Sequence, residues 1–243
     1  MCIFIIDSDE SHPSKTTTTT IVGVTYDGGV ILGSTDIITQ LTANVFLCHC
    51  ALGADTQVLL EDARNFLDQE TTATVAAEIV GMVLSAYDIN NKKNMLQTGV
   101  LLGGWDKNGG GKIYEIGFSG VVMEKSNFGV GGHGAVDLND FLEKEWKKGM
   151  TEEEAEQLVV KALSLNNNIN SACGVQTASV NSKGFTTAFH PYGTLPINAE
   201  KLELEHMNEK YLGKLELEHA NEKPLLEYIR AHLLLLLNIN EGL

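Results

Sequence analysis

The stretch that decides the fold is IVGVTYDGGVILG, from Ile21 to Gly33. Two runs rich in Val and Ile flank Asp27-Gly28-Gly29, and an Asp-Gly pair between such runs is a strong signal for a β-hairpin. The residues before it, 1–18, are polar and lead into a run of five threonines that begins at Thr16. We expect residues 1–18 to form a leader or propeptide-like arm outside the packed domain.

After the hairpin the chain alternates between strand and helix patterns. Strands are predicted within residues 44–53, 98–125 and 174–190, and amphipathic helices within 54–87, 138–146 and 151–165. Thr151 and Glu154 have the spacing of a capping box at the start of the last helix. This order predicts sheets covered by helices on their outer faces, an α+β layered domain.

Composition excludes several functional classes. The 243 residues include 17 Lys and Arg against 32 Asp and Glu, a net charge of −15, which argues against nucleic acid as a partner. The N-terminal apolar run is short and lacks a basic flank, and no run reaches the 18 or more apolar residues of a membrane span. We expect a soluble intracellular protein without a membrane partner.

The four cysteines fit neither a disulfide framework nor a four-ligand zinc site: Cys2, Cys48, Cys50 and Cys173. Cys48-His49-Cys50 would be the one local candidate for a metal. Because side chains alternate along a strand, the two thiols would lie on one face and His49 on the other, which favours ordinary packing. The sequence therefore predicts no metal and no cofactor.

The end of the chain carries a tandem duplication. KLELEHMNEKYLG, from Lys201, is followed at once by KLELEHANEKPLL, from Lys214, with a period of 13 residues. Two such copies are too few and too short for a solenoid. We divide the chain into the arm (1–18), a domain (19–197) and an acidic tail (198–243).

The quoted motifs identify a family. TTIVGVTYDGGVILG, from Thr19, resembles the first hairpin of the catalytic β subunits of the 20S proteasome. LQTGVLLGGWDKNGGGKIYEIGFSG and GMTEEEAEQLVVKALSL are similar to the beta type 6 (beta-1, caspase-like) class in its plant form. The resemblance implies the four-layer αββα sandwich of N-terminal nucleophile hydrolases. It also implies partner α and β subunits in a stacked-ring complex, polypeptide substrates, and a place in the cytoplasm and nucleus.

The chemistry of this family uses a threonine exposed as the first residue. Its hydroxyl is the nucleophile, and its α-amino group, with a pKa near 8, is the base. A neighbouring lysine keeps the potential positive, and a backbone N–H binds the oxyanion. By resemblance, Thr19 is the candidate nucleophile and Ala51 the oxyanion N–H position. The family frees its threonine by self-cleavage after a glycine, whereas Thr18 precedes Thr19 here, which favours an unprocessed arm.

The positions that support this chemistry are altered in the first half of the chain. After Ser34, the family segment that holds the supporting aspartate is deleted. Ile37 occupies the place of the essential lysine, and isoleucine supplies no charge. His49 replaces the arginine of the specificity pocket, and a histidine is mostly neutral at pH 7.

Four further positions differ in the second half. His133 and Ala135 replace the family's serines beside the threonine, and Asn170 and Cys173 occupy its distal Asp-Gly-x-Ser motif. A cysteine nucleophile formed by His133 with Cys173 or Cys50 is an alternative for which the sequence gives no distance.

These observations favour a beta-1-like proteasome subunit with its own peptidase activity lost or strongly reduced, acting architecturally in ubiquitin-dependent protein degradation. The second hypothesis is an active threonine-type endopeptidase that uses Thr19 after self-cleavage. The third is a degenerate paralogue that neither assembles nor cuts.

Overall fold

The computed structural model describes residues 19–51, 53–90, 96, 98–132, 134–165 and 174–196. In chain order the elements are β1 (Thr20–Tyr26), β2 (Gly29–Ser34), β3 (Ile38–Thr42), β4 (Val45–Ala51), α1 (Gly53–Arg64), α2 (Ala73–Asn90), β5 (Thr98–Asp106), β6 (Gly110–Ile116), β7 (Val122–Lys125), β8 (Phe128–Gly132), α3 (Ala135–Glu145), α4 (Glu152–Ser164), β9 (Val175–Asn181), β10 (Gly184–His190) and a 3-10 turn (Tyr192–Thr194).

The described strands form two antiparallel sheets of five strands each. The first sheet has the order β10-β9-β2-β1-β8, and the second has the order β3-β4-β5-β6-β7. Helices α3 and α4 pack on the first sheet, whereas α1 and α2 pack on the second. The predicted αββα sandwich is therefore confirmed.

In the described part of the chain, three apolar cores hold the four layers together. The first lies between α3, α4 and the first sheet and includes Val22, Val159 and Leu163. The second lies between α1, α2 and the second sheet, and the third lies between the two sheets, where it includes Ile21 and Leu32. Because α2 covers one face of β5 and the first sheet covers the other, this central strand of the second sheet is buried over eight of its nine residues.

The local signals read from the sequence form as predicted. β1 and β2 pair from Tyr26–Gly29 at the turn to Ile21–Ser34 at the open end. At α4, the Glu154 N–H donates to Thr151 Oγ1 at 3.2 Å, and the Thr151 N–H donates to Glu154 Oε2 at 2.8 Å. These two bonds satisfy helix N–H groups that would otherwise lack partners.

Two strands, β3 and β8, were not predicted from the sequence patterns. β8 is FGVGG, whose three glycines have little intrinsic preference for a strand. It forms because it pairs with β1 over five residues, from Phe128–Val24 to Gly132–Thr20. Among the described helices, none has the length and apolar composition needed to cross a bilayer.

Candidate active site

Thr19 lies directly before β1, at the end of the sandwich where β1, β8, β2 and β4 all start or finish. Thr19 is buried, with 8% of its surface exposed. Gly132, at the end of β8, has a φ of 85°, and a Cβ added there would lie 2.0 Å from the Thr19 carbonyl oxygen. Only a glycine fits this place without moving Thr19, so the β8 end fixes the candidate nucleophile against the sheet.

Thr35 holds the backbone of the next residue. The Thr20 N–H donates to Thr35 Oγ1 at 3.0 Å, and the Thr35 N–H donates to the Thr20 carbonyl at 3.1 Å. The backbone bond follows from the hairpin register, since Ile21 pairs with Ser34 and the following residue must lie opposite Thr20. The second bond comes from the Thr35 side chain. Thr35 was not among the site residues predicted from the sequence, although the hairpin register places it beside Thr20.

Ile37, at the position of the family's lysine, is 59% exposed. It lies one residue before the first pair of the β3–β4 ladder, Ile38 with Cys48. An aliphatic side chain neither donates a hydrogen bond nor carries a charge. The position therefore provides no cation for a threonine-based reaction.

His49, the specificity position, lies on β4 and is buried, with 8% of its surface exposed. Its Nδ1 atom is buried and has no hydrogen-bond partner. Burial lowers the pKa of the His49 imidazole below its usual range, while the Asp36 carboxylate acts in the opposite direction. Because burial is the larger cause, the neutral imidazole is favoured, and the site lacks the fixed positive charge of an arginine.

The thiols of Cys48 and Cys50 lie between the two sheets, on the opposite face of β4 from Leu47, as the alternation predicts. Burial raises the pKa of the Cys50 thiol to about 11, and it also raises the pKa of Cys48. A thiol with such a pKa is protonated near neutral pH and is a poor nucleophile. In the described part of the chain, no cluster of His, Cys, Asp or Glu could hold a metal ion.

Ala51, the predicted oxyanion position, is the last residue of β4 and pairs with Thr98 of β5. Its predecessor Cys50 lies against the end of β8, because a Cβ on Gly132 would be 3.2 Å from Cys50 Cβ. The end of β4 and Thr19 therefore both lie against Gly132. The predicted positions His133, Asn170 and Cys173 lie outside the described residues.

The charge at this end of the sandwich is negative. The described strand ends and turns that form this end are residues 19–21, 33–38, 48–51, 98–100, 116–122, 129–132, 174–176 and 189–191. Asp36 is the one charged residue among them, and they contain no Lys or Arg. Lys161, near the end of α4, instead lies 4.0 Å from the Glu145 carboxylate and 5.4 Å from the centre of the Phe141 ring. A negative end raises the proton affinity of a nearby amine or hydroxyl, the opposite of what a nucleophile needs.

Comparisons with known proteins agree with this fold. The family model for proteasome subunits matches residues 15–170. Proteasome subunit beta type-6 of Arabidopsis thaliana is 45% identical over 208 residues, which cover 76% of this chain and 87% of that protein. Proteasome subunit beta type-6 of Dictyostelium discoideum is 29% identical, covering 60% of this chain and 76% of that protein.

A further relative has a different subunit name. Proteasome subunit beta type-9 of Salmo salar is 31% identical over 170 residues, which cover 61% of this chain and 75% of that protein. The family model and the plant relative each span more than half of the chain. The chain therefore belongs to the proteasome subunit family, and within that family it resembles the beta type-6 subunits.

Proposed function

We propose that this chain is a β-ring subunit of a 20S-type proteasome that contributes structure rather than its own peptidase activity. The observation that supports it is the contrast between an intact αββα frame and a Thr19 end whose described strand ends and turns contain no Lys or Arg, where Ile37 stands at the family's lysine position. The proposal places the chain with other proteasome subunits in the cytoplasm and nucleus, in ubiquitin-dependent degradation.

Three properties of the site support a strongly reduced activity. In the uncleaved chain Thr19 is 8% exposed, so a peptide has little access to this residue. Asp36 adds negative charge at this end, which disfavours deprotonation of the hydroxyl. The pocket residue His49 is buried, and burial lowers its pKa, so it offers no stable cation to an acidic substrate side chain.

One observation favours the second candidate function, an active threonine endopeptidase. Thr19 stands at the start of β1 in the family's register, and the two bonds between Thr20 and Thr35 hold the adjacent backbone. Cleavage before Thr19 would free an α-amino group with a pKa near 8, and an amine of that pKa is a competent base at neutral pH.

The test is to co-express the chain with the α subunits and the remaining β subunits of a plant proteasome and to purify the assembled particle. Intact mass gives the N-terminus of the chain, and hydrolysis of a fluorogenic peptide with an acidic residue before the scissile bond gives its activity. The proposal expects full-length chain in the particle and the same hydrolysis rate for the wild type and Thr19→Ala.

Ile37→Lys places a positive charge at the position of the family's lysine. It is the matched gain-of-charge variant of the wild type in the same two measurements. A chain that begins at Thr19 in the particle, with hydrolysis abolished by Thr19→Ala, would establish the endopeptidase instead. A chain that is never found in the particle would support the degenerate paralogue.

A further inference from the structure

The free edges of the two sheets differ in how they are protected. An edge strand presents unpaired N–H and C=O groups, and natural proteins cover them or protect them with charges, bulges or short length. β3 has a register shift between Gln40 and Thr42. β7 has only four residues, and these include Glu124 and Lys125.

The β8 edge is occupied by a side chain. The Val130 N–H donates to Glu115 Oε1 at 3.1 Å, and Lys125 Nζ lies 2.9 Å from Glu115 Oε2. Glu115 is 3% exposed, so this is a buried, paired carboxylate that satisfies a backbone group of the edge strand. Three of the four described edges are therefore unsuited to pairing with another strand.

β10 is the remaining edge, and it has none of these features. Its seven residues, GFTTAFH, pair with β9 on one side without a register shift. They contain no Lys, Asp, Glu or Pro, and the five central residues are all exposed. Two of them are large and apolar: Phe185 is 46% exposed and Phe189 is 57% exposed.

The sequence of β10 is self-complementary. In an antiparallel pair of two identical strands related by a two-fold axis at Thr187, Phe185 of each copy lies opposite Phe189 of the other. Phe185, Thr187 and Phe189 share one face, since side chains alternate along a strand. Phe185 already contacts Phe46 of β4, with ring centres 5.0 Å apart, so this face continues the layer between the sheets.

We propose that β10 is a self-association surface through which two copies of this chain join their first sheets into one ten-stranded sheet. The two cross-strand aromatic pairs stabilise the contact, and the two-fold axis makes both patches identical. The strand carries no Asp, Glu, Lys or Arg, so pairing two copies of β10 places no like charges directly opposite one another within the strand pair. This proposal does not depend on the proposed role in a ring.

The test is sedimentation velocity of the full chain over a dilution series, with variants at the two-fold axis. Thr187 lies opposite Thr187 of the second copy. Thr187→Lys and Thr187→Glu therefore each place like charges opposite one another and should weaken the affinity of the dimer about tenfold or more. An equimolar mixture of the two variants should restore it, because Lys then faces Glu. The matched control is Thr186→Lys, which faces Ala188 of the partner copy and should change the affinity much less.

Far-UV circular dichroism and thermal unfolding verify that each variant is folded. In the wild type we expect twice the chain mass of 26.4 kDa and slower hydrogen exchange of β10 amides at high concentration. A wild type that has the mass of one copy at every concentration would overturn the proposal. So would a dimer that responds equally to Thr187→Lys and Thr186→Lys, or one that the charge-swapped mixture does not restore.

Discussion

The two ends of the sandwich differ sharply in their polar interactions. At the turn end, where β1 meets β2, Tyr26 Oη lies 3.1 Å from Ser179 Oγ and accepts from Asn181 Nδ2 at 2.9 Å, and Ser179 Oγ donates to Glu152 at 2.6 Å. At the Thr19 end, His49 Nδ1 has no partner and Ile37 is exposed. A fold can therefore be preserved by one end while the chemistry of the other end changes.

The largest effect is expected at the turn end, on replacing Asp106. Its Oδ1 accepts from the Ala73 N–H at 2.7 Å and its Oδ2 from Thr74 Oγ1 at 3.0 Å, so a residue of β5 caps the start of α2. Asp106→Ala removes both bonds to a buried carboxylate and should lower the free energy of unfolding by about 3 kcal/mol. Urea denaturation measures this loss.

The matched control at the Thr19 end is Asp36→Ala. Asp36 is exposed, so its replacement should change the free energy of unfolding by less than about 0.5 kcal/mol. Equal losses for the two aspartates would contradict the contrast between the ends.

A smaller loss is expected from Gly132→Ala at the Thr19 end. The added methyl group would lie 2.0 Å from the Thr19 carbonyl, and the φ of 85° disfavours any residue but glycine. We expect a loss of about 2 kcal/mol by urea denaturation. Gly134→Ala is the control, since that residue also has a positive φ, of 72°, but open space around the added methyl, so it should lose about 1 kcal/mol. Identical losses would mean that Gly132 does not hold Thr19.

The capping box of α4 should contribute less. Thr151→Ala removes the acceptor of the Glu154 N–H and should cost about 1 kcal/mol. Thr151→Ser keeps the hydroxyl and should retain most of the stability. Thermal unfolding of the three proteins separates loss of the cap from loss of the methyl group, and an unchanged Thr151→Ala would contradict the role of the cap.

The smallest effect is the pH dependence from His49. Its pKa in the folded protein is lowered by burial, so the unfolded chain binds the proton more readily. The stability that the neutral imidazole contributes is present above the unfolded pKa of about 6.5 and is lost as pH falls below it. Urea midpoints at neutral and mildly acidic pH should therefore fall less in His49→Leu than in the wild type. If the urea midpoint falls equally with pH in the two proteins, the assignment of this pH dependence to His49 is contradicted.

Much of the frame could be predicted from local patterns. Asp27-Gly28 marked the hairpin, Thr151 with Glu154 marked the start of α4, and apolar periodicity marked the other helices. These signals depend on residues within a few positions of each other, where turn chemistry and capping act directly. The isoleucine at position 37, where the family has a lysine, could also be predicted from the sequence, because aligning the chain with the family motif is enough to locate it.

The sequence by itself determined the αββα frame, the family, and the absence of a lysine at Ile37, because each of these lies in a short pattern of residue types. Only the tertiary structure decided that Gly132 holds Thr19 in place, that His49 is buried without a partner, and that β8 becomes a strand. It also decided that β10, rather than β8, is the open edge, since Glu115 reaches Val130 from the other sheet. These features depend on contacts between residues far apart in the chain, which only the packing of the two sheets brings together.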